Sequence, residues 1–197
     1  MNLEMRLLTK DEVRQVYYEH LVNDFPADEV KPLRAIYRMM EEGGYDPFGL
    51  YVDGAMKGYA LFTRQESALL IDYYAIISEF RGQGYGSIFL KAMKEHYKEL
   101  PGILFEVERP EKAETEDDHQ VREKRIHFYL KNGLEDTGIR ATVFGVAFRI
   151  LYLPCSGPID VDTAQRDLEQ VYRFMIQGHH YDEKVQWDPS EMPEKFH

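Results

Sequence analysis

Cysteine is almost absent from this chain of 197 residues, in which Cys155 is the only one. One cysteine cannot form an intramolecular disulfide, so nothing in the composition points to an oxidising compartment. The sequence also lacks an apolar run close to the roughly 20 residues of a membrane span, and residues 1–10 lack the apolar core of a signal peptide. We therefore expect a cytoplasmic protein with no membrane partner.

Basic residues are scarce relative to acidic ones. The chain has 24 Lys and Arg against 35 Asp and Glu, which gives a net charge of −11. Because a nucleic-acid backbone requires a basic face, we expect no nucleic acid as ligand. An acidic surface suits a cationic acceptor such as an amine, but it also maintains solubility, so charge does not decide between these two interpretations.

Apolar periodicity and turn residues predict strands and helices in one domain, without internal repeats. Asp53-Gly54 is typical of a tight hairpin turn, and Thr9 followed by Glu12 is a capping-box signature. A strand, a glycine-rich turn, a helix and a strand then follow in order, which favours a crossover between parallel strands. Strands are predicted over residues 5–8, 48–52, 58–63, 68–77, 103–107, 134–143 and 146–153. Helices are predicted over residues 9–21, 32–42, 90–100 and 161–175, and a further helix begins after residue 118 and ends at residue 132.

Residues 76–87 join a predicted strand to the start of a helix through three glycines, Gly82, Gly84 and Gly86. Glycines let the backbone approach a ligand closely, and the N–H groups and dipole at a helix N-terminus favour an anion. A phosphate-bearing cofactor is therefore expected at this turn.

Three glycine motifs compete for this segment. The phosphate loop of nucleotide hydrolases requires Lys and then Ser or Thr after its last glycine, and neither is present. The dinucleotide fingerprint G-x-G-x-x-G would use Gly82 and Gly84 but then meet Ser87, although Glu106 lies about 20 residues further on, as that fold requires. Dinucleotide domains usually place the motif on their first strand, whereas here it follows predicted helices and a hairpin. That alternative remains open but weaker.

The third motif fits best. Arg81-x-x-Gly84-x-Gly86 resembles the R/Q-x-x-G-x-G/A motif of the GNAT superfamily of N-acetyltransferases. Phe105-Glu106-Val107 is similar to the fifth strand of that family, and residues 127–134 resemble the end of the following helix. The resemblance extends from the start of the chain to about Leu153. It implies an α/β (α+β) fold with a single mixed, mostly antiparallel central sheet flanked by helices.

The resemblance also implies a domain organisation. Residues 1–153 would form the GNAT-like acetyltransferase domain, and residues 154–197 an extra C-terminal helix and a polar tail on the same domain. The tail from Gly178 to His197 contains Pro189 and Pro193, and we expect much of it to be mobile.

The same resemblance implies acetyl-CoA as co-substrate. No metal is expected, because His179 and His180 lack the spacing typical of a metal site. Backbone N–H groups from Gln83 to Ser87 would hold the CoA pyrophosphate, and the backbones of Ile76 and Ile77 the pantetheine arm. The complete predicted cofactor-binding set is Ile76, Ile77, Arg81, Gly82, Gln83, Gly84, Tyr85, Gly86 and Ser87.

Three residues are candidates for catalysis. Tyr129 matches the tyrosine that protonates or steadies the departing CoA thiolate in many members, although it would also suit an aromatic core. Glu106 and Asp72 are candidate general bases on two predicted strands, and either carboxylate would equally suit a structural ion pair. In members that use a strand carboxylate as the general base, its position corresponds to Leu70 here. Asp72 would therefore act from the next position on the same face of the strand. Arg122 stands where the family often has Asn.

The resemblance therefore implies an N-acetyltransferase that transfers an acetyl group to a primary amine of a small molecule or peptide, by direct attack in a ternary complex. The alternatives are a non-catalytic acyl-CoA-binding or sensor module and a nicotinamide-dependent oxidoreductase. Exposed strands at the sheet edges are candidate surfaces for a homodimer.

Overall fold

In the computed structural model, which describes residues 2–27, 29–66, 68–176 and 180–188, the chain forms eight strands and seven α-helices. The strands are β1 Leu3–Leu7, β2 Tyr45–Val52, β3 Ala55–Gln65, β4 Ala68–Ile76, β5 Gly102–Glu108, β6 Glu135–Val143, β7 Val146–Pro154 and β8 Val185–Trp187. The helices are α1 Lys10–Val16, α2 Val22–Asp24, α3 Leu33–Glu41, α4 Tyr85–His96, α5 Glu116–Lys131, α6 Val161–Met175 and α7 His180–Lys184. A π-helical turn, Tyr17–Leu21, joins α1 to α2.

The strands follow the order β1-β2-β3-β4-β5-β7-β6-β8 in one sheet. Antiparallel pairs join β1 to β2, β2 to β3, β5 to β7, β7 to β6 and β6 to β8. The predicted fold class, a mixed and mostly antiparallel sheet flanked by helices with an extra C-terminal helix, is confirmed.

Two compact units make up the chain. The first contains the residues up to Arg64 together with Ile71–His96, and the second contains Gln65–Leu70 and the residues from Tyr97 onward. The division at residue 153 that the sequence predicts remains a prediction.

Local signals account for the elements of the first unit. Thr9 caps α1, with its hydroxyl accepting from the Glu12 N–H at 3.3 Å while the Glu12 carboxylate accepts from the Thr9 N–H at 2.8 Å. Asp53 and Gly54 have φ angles of +50° and +81° between β2 and β3, as the predicted tight turn requires. The capping box and the hairpin are both confirmed.

The second unit is built around the buried face of α6. Ala164, Leu168 and Val171 are buried there, as the apolar spacing predicts. They belong to one apolar cluster with residues of β4, β5, β6 and β7, including Leu70, Leu104, Ile139 and Ile150. The cluster thus shows where α6 packs, which its own sequence pattern does not.

The polar C-terminal segment is more ordered than predicted. Residues 180–188 include α7 and β8, and β8 pairs with β6 through Val143 and Val185. The prediction of a largely mobile tail is wrong for this stretch, because Tyr181 and Val185 are buried in the α6 cluster. Pro189 and Pro193, and residues 178–179, lie outside the described residues.

Across the described ranges, none of the helices has both the length and the apolar character needed to cross a membrane.

Candidate functional site

The glycine turn lies in the first unit, between the end of β4 and the start of α4. A short 3₁₀ turn, Ser78–Phe80, follows β4. Gly82 and Gly84 then adopt φ angles of +73° and +85°, which L-residues with a side chain rarely adopt. Both glycines are exposed, and α4 begins at Tyr85 directly after them. The turn therefore presents bare backbone at the N-terminus of a 12-residue helix.

This helix start has the character of an anion site. The first N–H groups of an α-helix have no acceptor within the helix, and the helix dipole adds partial positive charge there. The Tyr74 hydroxyl donates to the Gly86 carbonyl at 2.7 Å and so fixes the first turn. Lys57 supplies a cation nearby, with its Nζ 3.6 Å from the ring centroid of Phe80 and 5.9 Å from that of Tyr85. Phosphate oxygens suit these N–H groups and this charge.

Arg81 supports the turn from within the first unit. Its Nε donates to the Ile76 carbonyl at 2.9 Å, and a terminal nitrogen lies 2.5 Å from the Asp24 carboxylate. Asp24 also accepts from the Tyr59 hydroxyl at 2.8 Å. Arg81 thus links the end of β4 to α2, and a cofactor contact from its side chain remains a prediction.

The backbone groups of Ile77, which are predicted to contact the pantetheine arm, already have partners within the first unit. Its N–H donates to the Lys57 carbonyl at 3.0 Å, and its carbonyl accepts from Phe80 N at 2.8 Å. Donation from the Ile77 N–H to a ligand would require the first of these bonds to break. Contacts from the Ile76 and Ile77 backbones to the pantetheine arm both remain predictions.

Asp72 lies on β4 in a buried polar cluster of the first unit. Lys31 Nζ is 2.7 Å from its carboxylate, and the Tyr45 hydroxyl donates to it as well. The Tyr73 hydroxyl accepts from the Lys31 N–H at 2.8 Å and donates to the Glu29 carbonyl at 2.7 Å. Burial and the nearby Asp72 raise the pKa of Tyr45 well above its ordinary value, so its hydroxyl remains a donor. The arrangement anchors residues 29–31 to β4, which favours the ion-pair interpretation of Asp72.

Asp72→Asn should therefore mainly reduce stability. The change leaves the Lys31 ammonium beside a neutral amide, and breaking a buried pair costs about 3–5 kcal/mol. We expect a loss of stability near the low end of this range, because the Lys31 side chain is 27% exposed. Urea unfolding measures the loss, and Asp46→Asn, which breaks the more exposed Arg64 pair, should cost about 1 kcal/mol or less. Unchanged stability with lost turnover would instead identify Asp72 as the base.

Tyr129 lies in the second unit, in the last turn of α5. Its buried ring packs against Phe105 and Phe128, each with a centroid distance of 5.3 Å. Burial raises the pKa of Tyr129 to about 12, against the lowering effect of Arg125. The phenol is therefore protonated at neutral pH, as an acid that supplies a proton must be.

Glu106 lies in the middle of β5, opposite Ile150 of β7. Its Oε1 accepts a hydrogen bond of 2.6 Å from the hydroxyl of Tyr172 on α6. Sequence analysis missed Tyr172, although it lies four residues after Leu168 and therefore on the buried face of that helix.

Arg122 has a structural position in the second unit. Its guanidinium bonds the Arg109 carbonyl at 3.1 Å and pairs with Glu108 at 2.8 Å and Asp118 at 2.9 Å. The acidic connection between β5 and α5 is thus held by ion pairs within this unit. Arg122 thus has ion-pair partners on both β5 and α5.

The sequence matches the Acetyltransferase (GNAT) family over residues 11–134, and the chain belongs to that family. Membership selects the R/Q-x-x-G-x-G/A motif among the three glycine motifs and supports an acyltransferase. Residues 135–197, which include Tyr172, lie outside the matched range.

Individual relatives share less than a third of their residues with this chain over the matched ranges. YjbC, a candidate acetyltransferase of Bacillus subtilis (strain 168), is 28% identical over 115 residues, which are 58% of this chain and 54% of YjbC. The chain thus spans about half the length of this curated relative. A candidate acetyltransferase of the GNAT family from Bacteroides thetaiotaomicron has a TM-score of 0.65 at 19% identity, over 84% of this chain and 93% of that chain.

A further GNAT family acetyltransferase, from Elizabethkingia anophelis, was solved with acetyl-CoA bound. It has a TM-score of 0.52 at 15% identity, over 78% of this chain and 98% of that chain. Both of these solved structures have the same fold as this chain.

Proposed function

We propose that this chain transfers an acetyl group from acetyl-CoA to a primary amine of a small molecule or peptide. The observation that carries the proposal is the exposed glycine turn at the start of α4, where Gly82 and Gly84 hold left-handed conformations. Family membership and the acetyl-CoA bound to the Elizabethkingia anophelis protein support the choice of co-substrate.

In this proposal the backbone N–H groups from Gln83 to Ser87 hold the pyrophosphate. The dipole of α4 and the Lys57 ammonium add favourable charge. Arg81 fixes the turn through Asp24 and the Ile76 carbonyl, so the site is shaped before the cofactor arrives. Such preorganisation lowers the entropic cost of binding.

The reaction requires one proton acceptor and one proton donor. Glu106 takes a proton from the acceptor ammonium, and the freed nitrogen lone pair attacks the thioester carbonyl carbon. The tetrahedral intermediate collapses with cleavage of the C–S bond, and Tyr129 gives a proton to the departing thiolate. The nitrogen loses its second proton to the Tyr129 phenolate, which restores the phenol. The products are an N-acetyl amide and CoA. We assign the base to Glu106 because a carboxylate within the apolar run of β5 requires a reason.

Tyr129→Phe tests the role of the phenol. If the hydroxyl protonates the thiolate, the variant should lose about 100-fold in kcat, while its affinity for acetyl-CoA changes little. Thiol release and calorimetric titration give the two quantities. Tyr152→Phe is the matched control, because the Tyr152 hydroxyl donates to the Gly157 carbonyl of the same unit at 3.0 Å and has no proposed role in the reaction. Equal losses of turnover and affinity in Tyr129→Phe would contradict the assigned role.

The proposal is tested as a whole by CoA release from acetyl-CoA across a panel of primary amines. Amine-dependent release supports an enzyme. Tight acetyl-CoA binding without release for any amine of the panel would favour the acyl-CoA-binding module instead.

A further inference from the structure

Helix α6 brings a hydroxyl group to the strand that carries Glu106. The helix begins after Asp160, whose carboxylate accepts from the Thr163 N–H at 3.0 Å. Its buried face joins the apolar cluster of the second unit, and Tyr172 lies on that face with 1% of its surface exposed. The ring of Trp187, on β8, lies 6.0 Å from that of Tyr172. The C-terminal elements therefore fix where the Tyr172 hydroxyl points.

The Tyr172 hydroxyl acts as a hydrogen-bond donor to Glu106. Burial and the neighbouring Glu106 carboxylate raise the pKa of Tyr172 well above its ordinary value. The phenol thus stays protonated, and its proton is directed to Oε1 of Glu106 at 2.6 Å. A hydrogen bond to a charged acceptor is stronger than one between neutral groups, and this one is buried on the donor side.

This bond limits the motion of the Glu106 side chain. A glutamate has three side-chain torsions, and the last is broad, so an unrestrained carboxylate samples many orientations. Holding Oε1 at a fixed donor restricts the rotation of the carboxylate and so the direction in which Oε2 faces. A general base requires its accepting oxygen within hydrogen-bond reach of the proton that it removes.

We propose that Tyr172 is a positioning residue for Glu106, so that a helix outside the family match forms part of the catalytic apparatus. This inference rests on the proposed function of Glu106 as the general base. The bond to Tyr172 orients the carboxylate, and the packing of α6 and β8 keeps the bond in place.

The experiment is a double-mutant cycle of Tyr172→Phe and Glu106→Gln, with steady-state kinetics on acetyl-CoA and the best amine of the panel. Tyr172→Phe alone should lower kcat by about 10- to 100-fold, as for a misplaced reacting group, and leave KM for acetyl-CoA unchanged. In the Glu106→Gln background the same substitution should cause no further loss of kcat, because the carboxylate on which Tyr172 acts is gone.

Tyr152→Phe serves as the control, since it removes a hydroxyl from another residue of the same apolar cluster. Thermal unfolding of all variants sets a temperature at which each is folded. An equal loss of kcat from Tyr172→Phe in both backgrounds, or no loss in either while Glu106→Gln is impaired, overturns the positioning role but leaves Glu106 as the base. Full turnover by Glu106→Gln overturns the base assignment itself, and with it the inference.

Discussion

Gly84→Asp is expected to abolish acetyl-CoA binding. Gly84 holds a φ of +85° in the turn before α4, where an aspartate backbone is strained. The new carboxylate would also place negative charge at the helix start that is proposed to receive the pyrophosphate. Strain and repulsion act in the same direction, so we expect no heat of binding in calorimetry at concentrations that saturate the unsubstituted protein.

Two controls separate charge from strain in this experiment. Gly84→Ala introduces the strain without the charge, and it should weaken binding less than Gly84→Asp. Gly54→Asp introduces the same residue at a φ of +81° in the β2–β3 hairpin of the same unit, and neither glycine has an atom within 4 Å of an added Cβ. It should therefore keep acetyl-CoA affinity. Unchanged affinity in Gly84→Asp would show that the pyrophosphate binds elsewhere.

Glu106→Gln is expected to give the largest loss of turnover. Without a carboxylate to take the ammonium proton, kcat should fall by about 10²- to 10⁴-fold, the usual contribution of a positioned base. The affinity for acetyl-CoA should be retained, because Glu106 has no assigned role in holding the cofactor. Single-turnover thiol release with excess amine measures the chemical step directly.

Glu108→Gln is the matched control for this experiment. Glu108 lies two residues further along β5 and pairs with Arg122 at 2.8 Å and Arg125 at 3.0 Å. Its substitution should lower stability, because those pairs are broken, but leave kcat close to that of the unsubstituted protein. If Glu106→Gln turns over normally and Asp72→Asn does not, the base has been assigned to the wrong strand.

Local chemistry made much of the fold predictable. The capping box of Thr9 and Glu12 and the turn at Asp53-Gly54 depend on residues that are close together in the sequence. Both are present in the structure. The glycine turn belongs to the same class, since its conformation depends on a few adjacent glycines. The fold class followed from the resemblance of this turn and its neighbouring segments to the GNAT family.

Long-range contacts could not be predicted in the same way. The three residues of β8 are too few to show a strand alternation, and their pairing with β6 depends on the burial of Tyr181 and Val185 in a cluster formed by distant segments. The bond between Tyr172 and Glu106 joins residues 66 positions apart. No local pattern specifies such a contact.

The candidate bases show the same limit. Sequence analysis left both Asp72 and Glu106 open as bases or as partners of other side chains. The position of Lys31 beside Asp72 depends on the path of residues 29–31, which only the folded first unit reveals. Packing therefore supplies the partner of Asp72, which composition and spacing could not.

The most direct test of the central claim is calorimetric titration of the purified protein with acetyl-CoA, with NADH and ATP as comparison ligands. We predict saturable binding of acetyl-CoA near one equivalent and no comparable heat from NADH or ATP. Absence of acetyl-CoA binding, or preferential binding of NADH, would contradict the assignment of the glycine turn as a CoA pyrophosphate site.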